Sequence, residues 1–200
     1  MSIINADLTE KSTGTASTRS CPYFLLCLAI DCVKIRLSEY DYSASGAYFI
    51  TVCVKDKQIR LSEIVETVGD GAFDVPKVRL TDIGQIVEKN LLSSERISGV
   101  KIEKYVIMPD HIHAIIVLDS EKFLRRQGTS KAPSPTNEML PHIVSTFKRF
   151  CNKEVGANIF QRSYMEHIIR DFSDFETKWN YICDNPRRWI EKRKNPHFYK

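Results

Sequence analysis

The order in which apolar periodicities change along this 200-residue chain constrains it most. Gly46 to Val54 (GAYFITVCV) is rich in aromatic and β-branched residues and predicts a strand. Leu80 to Leu92 places apolar residues at Leu80, Ile83, Ile86, Val87 and Leu91, a helical spacing, with Thr81 as N-cap. Val100 to Met108 and His111 to Leu118 read as two strands, separated by a Pro109-Asp110 turn signal. A loop is expected over Phe123 to Asn137 and a helix over Glu138 to Lys153. A strand over Gln161 to Ile169 and a helix over Asp174 to Asp184 follow, the last ending near Asn185-Pro186. The order β-α-β-β-α-β-α makes the chain α+β. Its first six elements form the split βαβ, ferredoxin-like layout, an antiparallel sheet with helices on one face. Many unrelated functions use that layout, so function has to come from particular side chains.

Hydrophobic residues make up 42% and charged residues 27%, as in a soluble globular domain. No apolar run reaches the roughly 18 residues of a membrane-spanning helix, so no membrane partner is expected. Six cysteines occur without a C-x-x-C pair, in a chain too large for a disulfide scaffold; reduced thiols and a cytoplasmic setting follow. Residues 1–33 are expected to be a flexible extension, and residues 34–200 one functional domain. The Ser/Thr-rich start reads as disordered. The apolar patch Cys21 to Cys32 lacks the flanks and cleavage site of a secretory signal.

Three groups of residues bear on chemistry. In His111-Ile112-His113, strand alternation puts both imidazoles on one face. They are either a pair of metal ligands or two polar residues on an exposed sheet face, and H-x-H alone is too short to decide. Tyr181 and Asn185, four apart on a helix, share a face. They are either a phenolic nucleophile beside a hard amide-oxygen ligand, or a core tyrosine and a helix C-cap. Taken together, the two pairs would hold Mg²⁺ or Mn²⁺ against a scissile phosphate with a tyrosine aimed at it. The third group is charge. The formal net charge is +4, and residues 141–200 carry twelve Lys and Arg against seven Asp and Glu. Arg187, Arg188, Trp189, Lys192, Arg193 and Lys194 cluster in RRWIEKRK, and Lys148, Arg149 and Arg162 add cations. These nine are the candidate DNA contacts, although a solvated helix face would look the same.

The segments Ile35–Val54, Leu80–Val87, Tyr105–Leu118 (YVIMPDHIHAIIVL), Phe147–Arg149, Ile159–Asp171 and Tyr181–Pro186 (YICDNP) resemble, in order, the REP-associated tyrosine transposases of the single-tyrosine HUH superfamily. The resemblance implies the HUH nuclease fold with a C-terminal catalytic helix. It implies His111, His113 and Asn185 as ligands of Mg²⁺ or Mn²⁺, and Tyr181 as nucleophile. It further implies an endonuclease and strand transferase acting on single-stranded, hairpin-forming palindromic DNA through a 5′-phosphotyrosine, in a monomer or homodimer. Asp110 stands where relatives often carry Asn, and Phe160 where they often carry Trp. A catalytically silent relative that only binds structured single strands is the alternative. A zinc hydrolase lacks any cysteine near the histidines in sequence.

Overall fold

The computed structural model describes residues 45–65, 76–127 and 139–195. The expected N-terminal extension, the Cys21–Cys32 patch, the start of the Ile35–Val54 segment and loop residues 128–137 lie outside the described residues.

Strand β1 (Gly46–Cys53) is followed by a short hairpin, β2 (Ser62–Val65) and β3 (Lys77–Leu80). Helix α1 (Asp82–Ser93) leads to the strand pair β4 (Val100–Ile107) and β5 (His111–Leu118). Helices α2 (Ser120–Gln127) and α3 (Met139–Val155), strand β6 (Met165–Ile169) and helix α4 (Phe172–Lys194) complete the described chain. The main sheet has the order β4-β5-β1-β6 with every pair antiparallel. β5 lies between β1 and β4, and β1 between β5 and β6, which is the expected split βαβ arrangement. The hairpin β2–β3 and helix α2 were not expected from periodicity.

The sheet's two faces have different chemistry. Tyr48, Ile50 and Val52 of β1 and Ile112, Ala114 and Ile116 of β5 are buried in the main core. Val87 and Leu91 of α1 and Ile143, Val144 and Phe147 of α3 complete it. Each such aliphatic side chain stabilises the fold by roughly 1.5–3 kcal/mol. Alternation turns the odd residues Phe49, Thr51 and Cys53, with His111, His113 and Ile115, to the other face. There α4 packs against β4, β5 and β6. From α4, Lys178, Ile182, Asn185 and Pro186 are buried.

Two local features position these layers. The Thr81 hydroxyl accepts a hydrogen bond from the Gly84 N–H at 3.1 Å, so the expected N-cap forms. Gly84 is required because a Cβ there would overlap the backbone carbonyl of Leu61. Gly84→Ala is expected to destabilise the protein by about 1–3 kcal/mol, measured by urea unfolding. An unchanged midpoint would mean that the two backbones separate freely.

Helix α4 departs from expectation. It does not stop at Asn185-Pro186 but runs through Pro186 to Lys194. Proline inside a helix removes one hydrogen bond and costs about 3 kcal/mol. Pro186 is buried with Ile182, and the residues after it are mostly good helix formers, which offset that cost. Asn185 is therefore an interior helix residue, not a C-cap, and RRWIEKRK is the helix's final turns. Among the described residues no helix is long and apolar enough to cross a membrane.

Candidate active site

The β5 strand delivers the histidine pair as its alternation requires. His111 and His113 have ring centroids 4.6 Å apart, edge to face. Cross-strand register fixes their neighbours: His111 is opposite Cys53, and His113 opposite Thr51. The His113 Nδ1 and the Thr51 hydroxyl are hydrogen-bonded at 2.8 Å. The His111 Nδ1–H donates to the Asp110 carboxylate at 2.5 Å. Both Nδ1 atoms are engaged, which leaves Nε2 as the nitrogen each ring offers a cation.

Helix α4 brings the other half. The Tyr181 ring lies edge-on to His113, with centroids 5.1 Å apart. Phe49 binds the two together: it stacks on His113 at 5.1 Å and meets Tyr181 at 5.9 Å. Trp189 lies 6.2 Å from His111, and the Arg188 guanidinium carbon is 5.5 Å from the Tyr181 ring centre. Asn185, one turn beyond Tyr181, is only 7% exposed on the helix face against the sheet. The strand pair and the helix pair, separated by some 70 residues, thus share one face of the sheet.

These residues fit a divalent cation. The donors are two imidazole nitrogens with their second nitrogens tied down, and one buried amide. Among the described residues no three His, Cys, Asp or Glu side chains gather as a metal site. His113 is suited to ligation because burial, and then the neighbouring His111, hold its pKa well below the ordinary value. The sign follows: the unfolded chain takes up a proton near pH 6.5 that the folded chain refuses. Stability is therefore full above that pH and falls on acidification, by up to about 1.4 kcal/mol per pH unit. Denaturation curves between pH 7 and 5 should be measurably flatter for His113→Gln than for the parent chain; equal slopes would refute this.

The expected DNA contacts divide. Arg187, Arg188, Trp189, Lys192, Arg193 and Lys194 all lie on α4 beyond Tyr181. Lys148 and Arg149 lie on α3, across the sheet from Tyr181. The Lys148 ammonium donates to the carbonyls of Gln161 at 3.0 Å and Ser163 at 2.8 Å, so it braces the loop before β6. Arg149 is exposed and stacks on Phe150, and Arg162 is exposed in the braced loop.

Sequence reasoning missed four residues of this face. Phe49 and Thr51 depend on strand register. Lys178 is 8% exposed, three residues before Tyr181; its ammonium is 3.9 Å from Asp174 and over the Phe49 ring. Asp174 also accepts from His167 Nε2 at 2.7 Å. Asp184 is the fourth. The helical spacing of Lys178 and Asp184 to Tyr181 was a usable signal. Tyr105 points to the opposite face, where burial and a hydrogen bond to Glu88 push its phenol up to about 12.

No protein-family model matches the chain. It is 30% identical over 168 residues to an uncharacterized protein of Haemophilus influenzae, spanning 78% of this chain and 88% of that protein. It is 24% identical over 160 residues to the REP-associated tyrosine transposase of Escherichia coli K12, covering 78% of each. A solved structure of a REP-associated tyrosine transposase bound to a REP hairpin shares the fold. The TM-score is 0.51 at 21% identity, over 76% of this chain and 74% of that one.

Proposed function

The chain belongs to the REP-associated tyrosine transposase family, and from that premise we propose that it cuts and rejoins single-stranded DNA at hairpin-forming sequences through Tyr181. The observation that carries this reading is the Tyr181 ring 5.1 Å from His113, itself paired with His111.

His111, His113 and Asn185 would hold Mg²⁺ or Mn²⁺. When bound, such an ion polarises the scissile phosphate and neutralises charge that develops there. The chain's own residues do the rest. Tyr181 supplies the attacking oxygen: a bond from that oxygen to phosphorus forms and the bond to the 3′-oxygen breaks. The phenolic proton passes to solvent and the 3′-oxygen gains one, leaving a 5′-phosphotyrosine and a free 3′-OH. A 3′-OH of another strand reverses the step and releases the enzyme. Phe49 fixes the Tyr181 ring against His113, and the cations of α4 draw the backbone toward it.

On this reading the protein would work on DNA of the nucleoid in the cytoplasm, as a monomer or homodimer. The test is incubation with hairpin-bearing single-stranded DNA from sequences flanking the gene, with Mg²⁺ or Mn²⁺, followed by denaturing electrophoresis. A covalent protein–DNA band is expected. Salt-sensitive binding without that band would identify a silent binding protein instead.

A further inference from the structure

Asp110 closes the turn between β4 and β5, and that turn is fixed from outside. The Pro109 carbonyl accepts from the N–H groups of Arg60 at 2.9 Å and Leu61 at 3.1 Å. The Asp110 carbonyl accepts from the Val54 N–H at 2.8 Å, and the Met108 N–H donates to the His111 carbonyl at 2.8 Å. Val54, Leu61 and Met108 are all buried, so the backbone that carries Asp110 is pinned against packed residues. An aspartate in a turn commonly accepts from a backbone N–H of that turn. Here its Oδ1 instead meets the ring of the next residue, 2.5 Å from His111 Nδ1. Both side chains are largely sheltered, with 19% of Asp110 and 16% of His111 exposed.

The two histidines are therefore held differently. A carboxylate only accepts, so a neutral His111 ring has to carry its proton on Nδ1, and the lone pair is left on Nε2. The Thr51 hydroxyl, 2.8 Å from His113 Nδ1, can donate or accept; it orients that ring without choosing its tautomer. An imidazole binds a cation through a lone pair, so a partner that fixes the proton on the far nitrogen prepares the ligand before the ion arrives. The residue type matters. An asparagine at position 110 would keep the shape, but its amide can donate as well as accept and so enforces neither tautomer.

We propose that Asp110 is the positioning residue of His111: it selects the Nδ1–H tautomer, aims Nε2 at the cation and strengthens that nitrogen as a donor. This rests on His111 being a metal ligand. Asp110 touches neither the ion nor the DNA in this role; it acts through one ring, from a turn that four backbone hydrogen bonds hold in place.

The experiment uses the full chain and two readouts that need no turnover. The first is the His111 tautomer in metal-free protein, read by ¹H–¹⁵N multiple-bond correlation at about pH 8.5, where an ordinary imidazole is neutral. The parent should show the Nδ1–H form alone; Asp110→Asn and Asp110→Ala should both admit the Nε2–H form. The second is Mn²⁺ titration followed by electron paramagnetic resonance. Affinity should fall by about tenfold in Asp110→Asn and by up to about 100-fold in Asp110→Ala, the range for partners of this kind. Asp110→Asn keeps the shape of the side chain, so its thermal melting should stay close to the parent. Adding Asp110→Asn to His111→Ala should weaken Mn²⁺ binding no further, since Asp110 acts through His111. An Nδ1–H form that persists in Asp110→Ala, parent-like Mn²⁺ affinity in both variants, or a further loss in the pair would overturn the assignment. Lowered melting with tautomer and affinity unchanged would make Asp110 a turn residue only. Failure of the underlying reading looks different: a parent chain that takes up no Mn²⁺ rejects the ligand set, and the role of Asp110 with it.

Discussion

Tyr181→Phe is expected to abolish the covalent protein–DNA band, a loss on the order of 10⁴-fold or more, the scale seen when a nucleophile is removed. The substitution deletes one oxygen and keeps the ring, so the contacts with Phe49 and His113 survive and the fold should be intact. Hairpin affinity should fall by at most about tenfold, the worth of one hydrogen bond. Denaturing electrophoresis reads the first quantity and a gel shift the second. Persistence of the band would move the nucleophile elsewhere. Tyr105 is a poor substitute, since it faces α1 and its phenol is pushed up to about 12.

His111→Ala should separate cutting from binding in a different way. It removes a proposed ligand and the partner of Asp110, so cleavage is expected to drop by on the order of 10²-fold or more even at high Mn²⁺. Binding should hold, because the proposed salt-sensitive contacts are lysines and arginines of α4, not residues of β5. Metal affinity gives the independent reading: Mn²⁺ titration followed by electron paramagnetic resonance should show weaker uptake than the parent. Equal falls in cleavage and DNA binding would mean that His111 serves the fold or the DNA, not a cation.

The sequence exposed those parts of the molecule whose physics is local. β1, β4 and β5 follow from alternation and β-branched content, and α1 from its spacing and the Thr81 cap. The β2–β3 hairpin was invisible because SEIV and KVRL are short and half polar. Helix α4 was cut short because Pro186 is a stop signal by propensity, and only packing on the sheet overrides it. The same distinction holds at the site. The two histidines on one strand face, and Tyr181 with Asn185 on one helix face, can be read from periods of 2.0 and 3.6. That the two faces meet is tertiary, and so is the register that sets Thr51 and Phe49 beside His113. Lys148 shows the converse: a cation counted toward DNA turns out to brace a loop, because carbonyls of residues 161–163 converge on it.

Helix α4 carries the phenol, the amide and the guanidinium, whereas both imidazoles belong to the sheet. The main core between sheet, α1 and α3 is complete without that helix. On the proposed chemistry, catalytic competence would require the docking of α4 as well as the folding of the sheet. Unseating this single rod would part the phenol, the amide and the guanidinium from the imidazoles at once.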